Sequence, residues 1–257
     1  MNKHLWRGWY AFLAWYADRQ GASFSCMNWG YDDGRETVEA AAGPERFPLQ
    51  LYQALVESTP LDGKVVLDAS CGRGGGLHYL AVRHGPAAAI GLDFTGANIK
   101  LCQRSFGNSA APISFRQGDA ERMQGVEDGS VDVALSVEAS HCYPRIDAFL
   151  ATSARVLRPG GHLLWTDFVP TESVPELRAQ LAPHFELVED RDITPHVLAA
   201  MRADRGRRRD LVEQHSAPFL RPILLNFAAA DDRCDTVERF TSGRFTYFMF
   251  KARRRDS

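Results

Sequence analysis

Three carboxylates that end short apolar runs, and the glycine loop behind the first of them, are the residues of this chain best placed to do chemistry. Val65-Val66-Leu67 runs into Asp68, then into Ala69-Ser70-Cys71-Gly72-Arg73-Gly74-Gly75-Gly76. An apolar run followed by a glycine-dense loop describes a buried strand turning tightly into a helix, with backbone bare enough for a ligand to lie against. Asp93 follows Ala88-Ala89-Ile90-Gly91-Leu92, and Asp119 follows Ile113-Ser114-Phe115-Arg116-Gln117-Gly118. Strand ends that each carry a carboxylate line one edge of a parallel sheet, where nucleotide-like ligands bind. The chain therefore reads first as an enzyme with a nucleoside-bearing cofactor.

The loop decides which cofactor. A dinucleotide fingerprint, Gly-x-Gly-x-x-Gly with an acid about 20 residues on, puts its glycines against a pyrophosphate. Gly72 and Gly74 begin such a match, but Leu77 stands at the third position and Asp93 falls late. Asp68 beside a pyrophosphate would set like charges together in a poorly solvated crevice. A nicotinamide oxidoreductase is disfavoured on both counts. S-adenosylmethionine has no phosphate, a cationic amino-acid tail and two ribose hydroxyls, and it suits these carboxylates. Asp93 is expected to accept the ribose hydroxyls and Asp119 the adenine amino group.

These blocks resemble a known class. Val65 to Gly75, Gly91-Leu92-Asp93, Gln117-Gly118-Asp119-Ala120, Gly129-Ser130-Val131-Asp132-Val133 and Val156-Leu157-Arg158-Pro159-Gly160-Gly161 are similar to the motifs of class I S-adenosylmethionine-dependent methyltransferases, over about residues 62 to 168. Asn28-Trp29-Gly30-Tyr31 and Glu138-Ala139-Ser140-His141-Cys142-Tyr143-Pro144 carry a narrower likeness. It is to bacterial natural-product and sugar O-methyltransferases of the rebeccamycin type, and to phthiotriol/phenolphthiocerol dimycocerosate methyltransferases. Ser70 departs from the class, which usually has a glycine there. A Cβ resists positive φ, so the turn is expected to differ slightly, with the hydroxyl reaching the cofactor instead. The resemblance implies a cofactor-binding set of Tyr31, Asp68, Ser70, Gly72, Gly74, Asp93, Phe94, Asn98, Asp119, Ala120 and Val137, with S-adenosyl-L-homocysteine as product.

Methyl transfer to a hydroxyl needs a positioned acceptor and a base for its proton. The loop after the fourth expected strand carries Glu138 and His141, and the fifth strand brings Asp167 to the same edge. Imidazole, with a pKa of about 6.5, suits base work at neutral pH. Asp167 would orient that ring and stabilise its protonated form, as the acid of a triad does. In the rebeccamycin-type enzymes the residues matching His141 and Asp167 are the proposed catalytic pair. Glu138 follows its strand directly and is read as holding backbone or lid. Asp167 and Glu138 could chelate Mg²⁺, but there is no dense acidic cluster, and no metal is expected. The phenolic or indole face of Tyr31 or Trp29 is expected to cover the sulfonium end of the cofactor. The expected function is O-methylation of a lipid, polyketide or sugar-bearing metabolite. A C- or N-methyltransferase, or a scaffold that cyclises a substrate without methyl transfer, are the alternatives.

The elements that must position these residues follow from the alternation of patterns. Helices are expected over 1–20, 45–58, 74–84, 98–104, 145–157, 176–181 and 195–213, and strands over 64–68, 87–92, 113–116, 131–137, 162–168, 185–189 and 245–250. This predicts an α/β, Rossmann-like, seven-stranded, mostly parallel sheet with helices on both faces, closed by a final antiparallel strand. Residues 1–60 are expected to form an N-terminal helical lid and acceptor-admitting segment, and 61–257 the S-adenosylmethionine-binding core. Residues 170–240 would be its variable acceptor-side insertion. The arginines from Arg202 to Arg209 read as a solvated helix face balanced by Asp204 and Asp210.

Composition sets the outer bounds. The chain has 257 residues, 45% hydrophobic and 24% charged, as expected of one folded unit. A net charge of -2 offers no basic field for nucleic acid, so the expected partner is a small-molecule acceptor. Cys26, Cys71, Cys102, Cys142 and Cys234 are scattered, odd in number and without a Cys-x-x-Cys pair, as suits free thiols in the cytoplasm. The segment 5–16 is apolar, but Arg7 interrupts it. It is also too short for a membrane span and lacks the cleavage site of a signal peptide. Trp9, Phe12, Leu13 and Tyr16 share one helical face, expected to pack on the protein as a lid, with stable membrane insertion not expected. A homodimer through aromatics near the N-terminus is a further expectation.

Overall fold

The computed structural model describes residues 24–35, 38, 40–231 and 234–256. The helix expected over 1–20, and the lid it would form, lie outside these residues.

Seven strands form one sheet: β1 (Val65–Asp68), β2 (Ala88–Asp93), β3 (Ile113–Gln117), β4 (Val131–Val137), β5 (Leu157–Pro170), β6 (Phe185–Asp192) and β7 (Phe245–Arg254). Their order is β3-β2-β1-β4-β5-β7-β6, with β7 antiparallel to both neighbours and the first five strands parallel. The architecture is the expected Rossmann-like α/β sheet, with one correction to its strand order. β7 does not close an edge; it inserts between β5 and β6. Its sequence Phe245-Thr246-Tyr247-Phe248-Met249-Phe250 suits that place, because a strand covered on both faces needs apolar side chains on both. Tyr247 and Met249 enter one core cluster, Phe248 and Phe250 the other, as the two-residue period of a strand requires.

The helices are α1 (Arg46–Val56), α2 (Gly75–His84), α3 (Gly96–Phe106), α4 (Ile146–Val156), α5 (Val174–Leu181), α6 (Thr194–Ala203), α7 (Arg205–His215), α8 (Arg221–Phe227) and α9 (Asp235–Thr241). Leu51, Tyr52, Leu55 and Val56 of α1 are buried in the same cluster as Leu77 and Leu80 of α2. Phe149 and Trp165 belong to the other cluster and pack edge to face, with ring centroids 5.8 Å apart, an arrangement that aromatic quadrupoles favour.

Two local expectations need correction. The single helix expected over 195–213 is two, because Asp204 adopts φ -96°, ψ 3°, ending α6 and opening α7. Its carboxylate accepts the Arg207 Nε–H at 2.7 Å. The helix before β5 ends at Val156 and not beyond, because Leu157 already pairs with Val131 in the sheet.

Gly72 and Gly74 carry the turn from β1 into α2, at φ +55° and +85°. A Cβ on Gly74 would stand 2.9 Å from Phe115 Cε1 and 3.0 Å from Cys102 Sγ. Gly74→Ala therefore combines a disfavoured φ with a steric clash. It is expected to lower stability by about 1–3 kcal/mol, read as an earlier denaturant midpoint at unchanged slope.

Candidate active site

A cleft of about 940 Å³, counting its open mouth, lies at the carboxyl edge of β1, β2 and β4. Its wall includes Ser70, Gly72, Asp93, Phe94, Asn98, Asp119, Ala120 and Val137, so eight of the eleven expected cofactor residues meet here.

Asp93 is fixed by the turn it begins. Its Oδ1 accepts the Thr95 N–H at 2.8 Å and Asn98 Nδ2 at 3.2 Å, while Oδ2 accepts the Gly72 N–H at 3.1 Å. The carboxylate of β2 thereby ties the glycine loop to the start of α3. Burial pushes its pKa up to about 6, against the pull of these donors. Asp119 stands just past the end of β3, where its Oδ1 accepts the Glu121 N–H at 3.0 Å.

Three expected residues stand outside the wall. Asp68 is fully buried behind the loop, accepting Tyr52 Oη and the Ser70 N–H, both at 3.2 Å. Burial lifts its pKa to about 7, and Asp93 adds like-charge repulsion. Gly74 packs on Phe115 and Cys102, as described. Tyr31 turns away, its ring 5.0 Å from His196, and its N–H bonds the Phe47 carbonyl. Ser70 takes no positive φ, so the serine leaves the turn unstrained, and its Oγ lies 2.6 Å from Tyr143 Oη.

Residues 25–28 cross the cleft as a strap clipped at both ends by carboxylates; Glu138 holds backbone there as expected, whereas spacing offered no means of finding Glu45. Glu45, just before α1, accepts the N–H groups of Ser25 and Cys26 at 2.8 Å and the Ser25 hydroxyl at 2.5 Å. Glu138, in the wall itself, accepts the Trp29 N–H at 3.0 Å and the Tyr247 hydroxyl at 2.7 Å through Oε2. Glu138 has a φ of 48°. That value is disfavoured for a residue with a Cβ, a cost tolerated when surrounding contacts fix the conformation. Burial raises its pKa to about 8, outweighing the two donors. Tyr143 also lines the cleft, its hydroxyl 3.2 Å from Ser136 Oγ.

His141 and Asp167 meet beside Ala139 and Cys142 of the cleft wall, with Nδ1 2.9 Å from Oδ1. Asp167 is wholly buried, and its Oδ2 accepts the Ser140 hydroxyl at 2.6 Å and the His141 N–H at 3.0 Å. The Phe168 N–H bonds Oδ1 at 2.8 Å. Trp165 Nε1 in turn donates to Ser140 Oγ at 2.8 Å, so the carboxylate sits in a chain of fixed donors. Burial would neutralise both members, but their mutual attraction outweighs it. The pKa of Asp167 falls and that of His141 rises well above the ordinary imidazole value. Among the described residues no group of His, Cys, Asp and Glu is arranged to hold a metal ion.

The chemistry of the cleft suits S-adenosylmethionine. Two buried carboxylates with raised pKa values stand within reach of each other's charge, and among the described residues no cation is brought to Asp68. Asn98 Oδ1 is buried in the wall without a donor. A cationic ligand rich in hydroxyl and amino donors fits this environment and a pyrophosphate does not. When bound, that cofactor supplies a sulfonium-activated methyl group.

Fold and cleft together define a nucleoside-cofactor enzyme of the methyltransferase architecture. A family profile described as "Methyltransferase domain" matches residues 67–165. The chain is 37% identical over 225 residues, 86% of its length and 82% of the relative's, to the phthiotriol/phenolphthiotriol dimycocerosates methyltransferase of Mycobacterium leprae. It is 35% identical over 229 residues, 88% and 82% of the two chains, to the fatty-acid O-methyltransferase of Mycolicibacterium smegmatis. In structure it is similar to the cyclase SpnF, with a TM-score of 0.78, 20% identity and coverage of 100% and 98%. The chain belongs to the S-adenosylmethionine-dependent methyltransferases, with the phthiotriol dimycocerosate methyltransferases among its relatives.

Proposed function

We propose that this protein transfers a methyl group from S-adenosylmethionine to a hydroxyl oxygen of a small natural product bearing a lipid, polyketide or sugar moiety. The His141–Asp167 contact is the observation that carries the reading. In its neutral form His141 donates Nδ1–H to Asp167, which fixes the tautomer and makes the other ring nitrogen the basic one, able to take the acceptor's proton. The imidazolium so formed is stabilised by a carboxylate that is already ionised. Asp93 holds the ribose hydroxyls, Asp119 the adenine amino group, and the strap from Ser25 to Asn28 excludes water. The names of the two relatives, one acting on dimycocerosates and one on a fatty-acid oxygen, support a lipid acceptor and transfer to oxygen.

The test uses cofactor labelled in its methyl group with long-chain alcohols, phenols and fatty acids as acceptors. Labelled ether or ester formation is expected. Label on carbon or nitrogen, or a cyclised acceptor with the cofactor intact, would replace the reading. A pH profile accompanies it. Because Asp167 raises the pKa of His141, the imidazole of the free enzyme keeps its proton to higher pH than a free imidazole does. The ratio kcat/KM is therefore expected to rise with pH across a window whose midpoint lies above the ~6.5 of free imidazole. A profile flat through that window would remove His141 as the base.

A further inference from the structure

Glu138 holds the strap with one of its two oxygens and leaves the other to the cleft. Oε2 accepts both the Trp29 N–H, at 3.0 Å, and the Tyr247 hydroxyl, at 2.7 Å. Oε1 takes no donor among the described residues, and it is not sealed in as the orphaned Asn98 Oδ1 is. Glu138 belongs to the cleft wall, so this oxygen opens on the space a ligand would fill. The backbone gives the same reading. A glycine would adopt the φ of 48° found here without cost. What glutamate brings to the position is therefore its side chain, and strain of this kind gathers where a site needs a particular group. Holding the strap needs Oε2 alone.

Position says which ligand meets Oε1. Beyond burial and its own donors, the charges that act on Glu138 are Asp167 and His141, whereas the one that acts on Asp68 is Asp93. Glu138 thus stands with the reactive pair, and Asp68 with the cofactor loop. Aromatic rings gather on this side. Phe168 lies 4.8 Å from the Trp29 ring, 4.6 Å from that of His141 and 6.2 Å from that of Tyr247. Such surroundings suit an apolar acceptor body, with Glu138 as a polar exception that fixes its orientation.

We infer that Glu138 is a specificity-determining residue, selecting acceptors that carry a second hydroxyl beside the one methylated and holding that hydroxyl at Oε1. The inference rests on the hydroxyl acceptor proposed above. A hydroxyl both donates and accepts, so it bonds Oε1 whether Glu138 is ionised or carries its proton there. An acceptor with a lone hydroxyl, engaged by His141, would displace water from Oε1 and offer nothing in return. A carboxyl oxygen left unpaired in that way is costly, and discrimination follows from the cost.

Titration calorimetry on the full chain saturated with S-adenosylhomocysteine tests this, comparing an octanediol that has hydroxyls on its first two carbons with octanol. The diol is expected to bind about tenfold more tightly, the worth of one good hydrogen bond. Glu138→Ala, or the similar-sized Glu138→Met, is expected to bind the two equally. Glu138→Gln is expected to retain most of the preference, because its carbonyl serves the Oε2 donors while its amide faces the cleft. Tyr247→Phe relieves Oε2 and leaves Oε1, so it is expected to keep the full preference, which separates the strap clip from selection. S-adenosylhomocysteine affinity near that of the wild type shows that each variant is folded. Equal binding, or no binding, of diol and alcohol by the wild type would overturn the proposal, as would a preference that survives Glu138→Met. Loss of S-adenosylhomocysteine affinity in Glu138→Gln as well as Glu138→Met would give Oε1 to the cofactor's ammonium group and overturn it too. Binding is read here without turnover, so failure of the methyl-transfer reading shows separately, as absent label with the diol preference intact.

Discussion

His141→Ala is expected to lower kcat by about 10²- to 10⁴-fold, the usual contribution of a positioned base, with S-adenosylmethionine affinity nearly unchanged. The split between the two readouts matters. His141 does not line the cleft that the cofactor residues form, so the proposed role has its loss lower proton acceptance while the cofactor contacts stay. A fall in cofactor affinity with intact turnover would assign the ring a binding role instead. Asp167→Asn is the companion variant. It keeps an oxygen for Nδ1–H but loses the charge, so the midpoint of the pH profile is expected to move down toward the ~6.5 of free imidazole. A structural role alone would lower stability without moving that midpoint. Stability should be measured too, because the pair acts on it in a defined direction. The raised pKa of His141 stabilises the folded protein below about pH 6.5, and this contribution is lost as pH rises through its folded value. The lowered pKa of Asp167 acts oppositely, stabilising above about pH 4 and losing that contribution as pH falls.

Asp93→Ala is expected to weaken S-adenosylmethionine binding by about 100-fold, from two hydrogen bonds to a charged group at roughly 1.5 kcal/mol or more each. The loss has two sources. The ligand hydroxyls lose their acceptor, and the Gly72, Thr95 and Asn98 donors that shape the wall lose theirs. Asp93→Asn separates them, since its carbonyl oxygen still accepts while its amide cannot bond the Gly72 N–H. An intermediate loss is expected. Titration calorimetry measures both. Because the pKa of Asp93 lies at about 6 in the free protein, wild-type affinity is expected to fall as pH drops through that value. Binding insensitive to both the substitution and pH would remove Asp93 from the cofactor site.

Much of the frame was legible because it is written locally. A buried parallel strand needs an unbroken apolar run, and Val65-Val66-Leu67 and Val133-Ala134-Leu135 are such runs. A tight turn beside a helix start needs positive φ, and Gly72 and Gly74 supply it. Other features follow from contacts between distant segments. Tyr31, read as a cofactor cover, lies against His196 from the far half of the chain, a contact no spacing rule reports. The break at Asp204 is not legible because helical periodicity continues through it in the sequence, while in the folded chain its backbone leaves the helical region at φ -96°, ψ 3°. Of the clips that hold the strap, Glu138 holds backbone as its place after β4 leads one to expect, whereas nothing in the sequence around Glu45 marks it. Each takes its partner from a separate segment, Trp29 for Glu138 and Ser25 for Glu45.

Legible from the chain alone are the sheet's element types, the placing of acids at strand ends and the nearness of His141 and Asp167 to one edge. Each depends on a short run of side chains and on the rule that successive parallel strands point the same way. Packing between distant segments set where β7 inserts, that Glu45 closes the strap, that Asp68 sits behind the loop, and that Phe219, Ile223 and Phe227 stand exposed. These depend on which faces meet once the chain is folded. Burial, and with it the balance between desolvation and hydrogen bonding that sets each carboxylate's charge, exists only after that packing is complete.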